Sequence, residues 1–385
     1  MQGRAGTQVD RVTWRMYDVE AFLETDLRKR RWLRIRSRIE SRRARLAARR
    51  RQVTAPRIGV LAHQKPSPLL LPARYWHTTA PDNPPAISIV TPSFGQGRYI
   101  ERTLFSVTGQ NYPRLEYIVQ DGGSTDETVD VLRHHEAELS QWESGPDGGQ
   151  ADALNRGFAR TSGEIMSYLN SDDLLLPGSL AYIARYFATH PDVDVVYGNR
   201  VLIDSGDRNV GAWILPGHDD AAMTMVDFIP QETLFWRRRA WEAAGGLIDT
   251  SLHFAIDWDL LLRLRASGAK FAHVPRFLGA FRVHDAQKTT REQTVSEVEC
   301  ARLRRELHGR EVSQEEAASR VDGFCRRHVR AHLRQRLLDR LPISRTEVST
   351  VPPNAWLRTP EARRRQTAPP AARPKRRAST ATKPR

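Results

Sequence analysis

Leu169 to Asp173 reads LNSDD, two small polar residues and two adjacent carboxylates closing a short apolar run, Glu164–Leu169. In an α/β protein, ligands bind beyond the carboxyl ends of the strands. Hard carboxylate oxygens gathered at such an edge suit Mg²⁺ or Mn²⁺, ions that commonly also hold substrate phosphates. The chemistry implied is metal-assisted handling of a phosphorylated small molecule. A plainer role stays open, in which Asp172 and Asp173 cap the turn leading to Pro177.

Three further loops carry the same kind of residue. TPSFGQG (91–97) follows one apolar run, DGGSTDET (121–128) follows the next, and GPDGGQADALNRG (145–157) leads into a helical stretch. Gly, Ser, Asp and Asn present donors and acceptors at low steric cost. One such loop is ordinary turn chemistry. Four, in phase with the strands, place their polar groups in one crevice.

The elements that must position these loops alternate. AISIVT (86–91), LEYIVQ (115–120), EIMSYL (164–169) and VDVVYG (193–198) read as strands. Helices are expected near 97–109, through His135 from a capping box at Ser124 and Glu127, over 151–160 and over 179–190. This alternation predicts an α/β fold with a mostly parallel sheet flanked by helices. After residue 200 short strands are expected at 201–203, 234–236, 269–274 and 279–283, with a helix at 257–268. Residues 290–340 read as helical, with a second capping box at Ser313 and Glu316.

The net charge of +15 is concentrated at the ends. Residues 27–51 hold thirteen Lys or Arg against one Glu, and residues 362–385 hold nine and no acid, so the body is mildly acidic. The expected division is a basic, partly amphipathic arm (1–55), with Trp32, Ile35, Ile39 and Leu46 on one helical stripe, and a Pro-containing linker (56–85). A catalytic domain (86–285), a helical extension (286–345) and a basic disordered tail (346–385) follow. The segment 27–51 could meet an anionic membrane surface. No apolar run approaches the ~18 residues that span a bilayer, and Cys300 and Cys325 have no metal-ligand spacing. A cytoplasmic location, peripheral at the inner face of the membrane, is the expectation.

The order ISIVTPSF, GQNYPRLEYIVQDGGSTDET, DGGQADALNRGF, SGEIMSYLNSDDLLLPGSL resembles the family 2 glycosyltransferases of the GT-A (Rossmann-like) fold, over roughly 86–285. The resemblance implies transfer of a sugar from a nucleoside diphosphate sugar, UDP or dTDP above others, to an acceptor hydroxyl with inversion. Thr91, Pro92, Ser93, Asp121, Asp147, Gln150, Asn155, Asn170, Ser171 and Arg282 are then expected on the nucleotide sugar. Gly122 stands where the family often has a second Asp, and Asn170 where it has the first Asp of its Asp-x-Asp motif. Asp172, Asp173 and His284 are expected at the metal, and Gln231 and Glu232 on the acceptor side. Asp257 takes the place of the general base, although the usual Glu before it is Ile256; Asp259 is its nearby competitor.

A divalent ion and Arg282 would stabilise the departing diphosphate, and a carboxylate on the far face of the sugar would take the acceptor's proton. The family's processive synthases carry Gln-x-x-Arg-Trp and membrane helices, absent here, so one sugar per encounter is expected, on a lipid-linked or cell-envelope glycan. Two other readings compete. Asn170 and Ile256 fit a relative that binds nucleotide sugar or glycan with impaired turnover. The Arg-rich ends fit nucleic-acid binding, though 86–285 lacks a basic face for it.

Overall fold

The computed structural model describes residue 59 and residues 63–284, 293–338 and 348–350. The stripe at Trp32–Leu46, most of the tail, and the basic runs 27–51 and 362–385 lie outside the described residues.

Strands β1 (His63–Ser67) and β2 (Leu70–Pro72) come first, although the sequence read this stretch as linker. The Rossmann-like core begins with β3 (Ile87–Ser93), α1 (Ile100–Thr108), β4 (Leu115–Asp121), α2 (Thr128–His134) and β5 (Gln141–Ser144). It continues with α3 (Gln150–Phe158), β6 (Ile165–Tyr168), β7 (Leu174–Leu175) and α4 (Ser179–Thr189). Strand β8 (Val195–Ile203) absorbs the separately expected strand at 201–203. Then come β9 (Asn209–Trp213), α5 (Asp220–Met223), β10 (Phe235–Arg237), α6 (Arg238–Ala243) and α7 (Ile256–Ala266). The two expected strands at 269–274 and 279–283 are one, β11 (Phe271–Arg282). Helices α8 (Gln293–His308) and α9 (Gln314–Leu338) end the domain, and β12 (Val348–Thr350) pairs with β2.

The main sheet runs β1-β9-β8-β10-β6-β3-β4-β5, with β11 added parallel to β8 and β7 antiparallel to β11. Its half bearing the predicted loops, β6-β3-β4-β5, is parallel throughout. Strand β10 enters antiparallel and joins the second half. Strand β1 pairs with β9, so part of the expected linker belongs to the sheet.

Side-chain alternation explains the burial of both faces. Ile89, Ile165 and Val196 face one core with Ile100, Leu104, Leu132 and Phe187. Their neighbours Val90, Met166 and Val195 face the other, with Leu154, Trp236, Trp258 and Leu260. Helix α3 lies close on β3 because Gly157 has no side chain; a Cβ there would sit 2.4 Å from Val90 Cγ1. The C-terminal helices belong to the second core, where Leu303, Val321 and Phe324 are buried and the Phe324 ring lies 4.4 Å from that of Phe228.

Two capping expectations had different outcomes. Ser313 Oγ accepts from Glu316 N at 3.1 Å and opens α9, while Glu316 turns to Arg310. Ser124 caps nothing: its hydroxyl donates to Asp121 Oδ1 and accepts from Gly95 N, so α2 starts only at Thr128. Both cysteines are free, and among the described residues no helix is long and apolar enough to cross a membrane.

Candidate active site

Parallel register brings the loops together. Ser93 pairs with Asp121 and Val90 with Tyr168, so β3, β4 and β6 end at one edge. There the chain encloses a cavity of about 510 Å³. Pro92, Ser93, Phe94 and Gln96 line it from β3 and the loop beyond, Gly122 from the loop after β4, and Asp147, Gly149, Gln150 and Ala153 from the start of α3. Asn170, Ser171, Asp172 and Asp173 line it after β6, and Phe281 from β11. The four polar loops expected in one crevice are in one crevice.

The 170–173 turn is closed by its own backbone and held from outside the motif. Asp173 N donates to Asn170 O at 3.1 Å, and Thr103 Oγ1 donates to Ser171 O and Asp173 O at 2.9 and 2.8 Å. Asn170 is a bridge: its Oδ1 accepts from Gln150 Nε2 at 2.8 Å, and its Nδ2 donates to Gln231 Oε1 at 3.3 Å. Ser93 Oγ is buried at the cavity wall with no partner among the described residues, a donor and acceptor left for a ligand.

The adjacent acids are not equivalent. Asp172 turns its Oδ2 to His284 Nε2 at 3.0 Å, and the His284 ring lies 4.9 Å from that of Tyr99. Asp173 is 1% exposed, and its Oδ1 accepts from Arg282 N at 2.9 Å. Burial first, then the charges of Asp172 and Glu232, push the Asp173 carboxyl well up. Among the described residues no three His, Cys, Asp or Glu side chains could hold a metal alone. The Asp172–His284 pair fits an ion that takes its remaining ligands from phosphate and water, as Mg²⁺ and Mn²⁺ commonly do.

Several expected contacts sit behind the cavity wall. Thr91 Oγ1 pairs with the Tyr117 hydroxyl at 3.0 Å in the interior. The Asp121 carboxylate accepts from Gly123 N, Ser124 N, Ser124 Oγ and Ser144 Oγ, so it shapes the DGGS turn. Asn155 exchanges hydrogen bonds with the Ile248 backbone, at 2.9 and 2.8 Å. Arg282 is corrected most: fully buried, its guanidinium pairs with Asp207 at 2.5 Å and donates to Asp204 O and Asp172 O. That cation braces the wall and does not line the cavity. Gln231 and Glu232 are equally committed. Gln231 Nε2 donates to Tyr168 O at 2.7 Å, and Arg200 forks onto Glu232 at 2.8 and 2.5 Å.

Next to the cavity lies a second group of charges. Asp257, in the first turn of α7, accepts from Trp258 N at 2.9 Å. Burial pushes its carboxyl up to about 6, against the amide hydrogen bond and the Arg200 charge. Burial and then the Asp257 charge push Asp227 well above the carboxylate range, and Asp227 Oδ1 is buried without a partner among the described residues. The Arg200 guanidinium lies 4.5 Å from the ring of Phe281, which joins this group to the cavity. Asp259, the competitor for the base, instead binds Arg263 one turn along α7.

Sequence reading missed Asp227, Arg200 and Asp207, which occur in no recognisable motif and meet the site only through the fold. Phe94 was quoted in its loop and given no role, yet it is 71% exposed at the cavity rim.

Residues 88–255 match the family model described as Glycosyl transferase family 2. This segment is a family 2 glycosyl transferase domain. Among curated relatives, the glycosyltransferase domain is 43% identical over 90 residues to an uncharacterised glycosyltransferase of Mycobacterium tuberculosis, covering 23% of this chain and 34% of that one. It is 28% identical over 199 residues to a PGL/p-HBAD biosynthesis glycosyltransferase of Mycobacterium tuberculosis, covering 49% and 75%. It is 27% identical over 195 residues to the O-antigen biosynthesis protein RfbC of Myxococcus xanthus, covering 49% and 15%. The chain thus spans about a third of the length of the first of these relatives. Among solved structures, S. aureus TarS 1–349 with UDP-GlcNAc matches with a TM-score of 0.48 at 16% identity, covering 67% of this chain and 77% of that one. The mannosyltransferase PcManGT of Pyrobaculum calidifontis, with GDP-Man and Mn²⁺, matches with a TM-score of 0.46 at 18% identity, covering 76% and 84%.

Proposed function

We propose that the glycosyltransferase domain moves one sugar from a nucleoside diphosphate sugar, UDP- or dTDP-linked, to an acceptor hydroxyl with inversion, in cell-envelope or surface glycan synthesis at the inner face of the membrane. The observation that supports this best is the single cavity onto which Ser93, Gly122, Asp147, Gln150, Asn170 and Asp172 converge from four loops. Its volume is in the range of small-molecule sites, roughly 300–1,000 Å³.

Asp147, Gln150 and Ser93 would hold the nucleoside, and Asp172 with His284 would hold Mg²⁺ or Mn²⁺. When bound, the ion neutralises charge on the leaving diphosphate. Asn170 keeps the nucleotide loop and the 231–233 turn in fixed relation through its two amide contacts. Arg282 fixes the Asp172 backbone and so the direction of its carboxylate. Asp257, half-ionised near pH 6, would accept the acceptor hydroxyl's proton, and Asp227 beside it opposes full charging of the pair.

Thermal shift with UDP, dTDP and GDP, each with and without Mn²⁺, tests the binding half, because a ligand of the native state raises its stability. Turnover of the corresponding sugar donors by wild type and Asp257→Asn tests the chemical half. Metal-dependent stabilisation with turnover lost in the variant supports the reading. Nucleotide binding without any turnover would leave the impaired-relative reading in its place, and no stabilisation by any nucleotide would remove both.

A further inference from the structure

Helix α7 begins without a cap of its own. Its N-cap residue is Ala255, whose side chain accepts no hydrogen bond, and the first turn carries Asp257. The opening amides of a helix lack intrahelical partners and are costly to bury unpaired. Only the N-cap amide, that of Ala255, is served from 44 residues away, together with the two amides that lead into it. Glu299, on α8 and 8% exposed, accepts from His253 N at 2.8 Å through Oε1 and from Phe254 N and Ala255 N at 2.9 Å each through Oε2. Three consecutive amides thus converge on one carboxylate.

We propose that Glu299 is a positioning residue for Asp257, a clamp supplied by the C-terminal helices that sets where the first turn of α7 stands beside the cavity. The inference rests on reading Asp257 as the base; the clamp itself is geometry.

Several observations support it. Helix α8 lies beyond the matched residues 88–255, so a segment outside the family match completes the site. The contact is not a surface ion pair: burial works to raise the Glu299 carboxyl, and the three amide bonds outweigh it, leaving the group below the ordinary glutamate value. The neighbouring residue Cys300 is partly buried, and its thiol is pushed up to about 11 by burial first and then by the charge of Asp227. The charges of both members of the carboxylate pair, Asp227 and Asp257, are felt at this turn of α8. The charge at the helix N-terminus is also of the favourable sign.

The test compares the full-length wild type with Glu299→Gln and Glu299→Asp. Amide hydrogen exchange reads the clamp without needing turnover: protection at 253–255 should fall at least about tenfold in both variants, while 93–97 and 170–173 keep theirs. UDP affinity in the presence of Mn²⁺ should stay within about twofold, and kcat for UDP-glucose or dTDP-glucose turnover should fall on the order of 10²-fold in Glu299→Gln, the usual cost of a misplaced catalytic group. Glu299→Asp, with its charge kept, should recover part of kcat. Unchanged exchange at 253–255 would overturn the clamp whatever the activity. Lost protection with kcat unchanged would overturn the positioning role. Equal loss of kcat and UDP affinity would also overturn it, since a loosened fold affects both. A wild type that exchanges as expected but turns over no donor would count against the proposed function, not against the clamp.

Discussion

His284 Nε2 lies 3.0 Å from Asp172 Oδ2, joining residues 112 positions apart at the cavity wall. Carboxylate and imidazole converge because β11 carries His284 past the 170–173 turn and Arg282 ties the end of that strand to the turn. If this pair holds the ion, both members are needed for metal-dependent binding. UDP titrated calorimetrically with Mn²⁺ should bind wild type more tightly than without it. In Asp172→Ala and His284→Ala that gain should shrink roughly 10–100-fold, while metal-free affinity changes little. An undiminished Mn²⁺ effect in both variants would place the ion elsewhere.

Asp257 gives two pH-dependent outcomes of definite sign. Its carboxyl stands at about 6, against an ordinary 3.8. The groups facing it are Asp227, Glu232 and Arg200. A general base works ionised, so kcat should rise with pH through about 6 and level off above it. Asp257→Asn should lose on the order of 10²–10⁴ in kcat with nucleotide affinity kept. The stability effect runs the other way. A carboxyl whose value is raised on folding stabilises the fold fully below its unfolded value and loses that contribution as pH rises through its folded one. The Tm of Asp257→Asn relative to wild type should therefore be higher at pH 8 than at pH 4. A difference that is flat across that range would mean that burial does not perturb the group.

Arg282 and Asp207 form a pair with side chains 0% and 4% exposed, at 2.5 Å. Breaking a buried pair by removing one partner strands the other charge, at a cost of about 3–5 kcal/mol. Arg282→Met should lose stability of that order in urea unfolding. Arg282→Met with Asp207→Asn should recover a substantial part of it, because the one charge then left without its partner, Arg102 (3.3 Å from Asp207), is partly exposed. If Arg282 instead acted mainly on the diphosphate, Arg282→Met would weaken UDP binding at nearly unchanged stability.

The alternation of strands and helices was legible because buried parallel strands are short apolar runs bounded by Gly- and Asp-rich turns. The four cavity loops were legible for the same reason, since their spacing follows the strands. The exact duties of their acids were not. Asp121 and Asp147 look alike in sequence, yet four local donors occupy Asp121, while Asp147 faces the cavity with Gly149 N on one oxygen. The capping box at Ser124 failed because Asp121 competes for the same hydroxyl. Arg200, Asp207, Asp227 and Glu299 were silent because each acts through a partner 30 or more positions away or through burial that only the fold creates.

Gly122 offers the sharpest check on the nucleotide wall. A Cβ added there would lie 3.1 and 3.2 Å from the two oxygens of Asp147, closer than ordinary contact. The Gly122 backbone is outside the left-handed region, so alanine meets no conformational strain there. The conflict falls on the Asp147 carboxylate alone, which Gly149 N holds at 2.8 Å. Gly122→Ala should push that carboxylate out of place and weaken UDP binding by about tenfold, an effect on the order of 1.4 kcal/mol. Unfolding free energy should change by no more than about 0.5 kcal/mol, as for a surface substitution. Asp147→Asn should weaken UDP to a similar degree, and the double variant should add little, because both changes remove the same contact. Additive losses would mean that Gly122 and Asp147 meet the nucleotide independently.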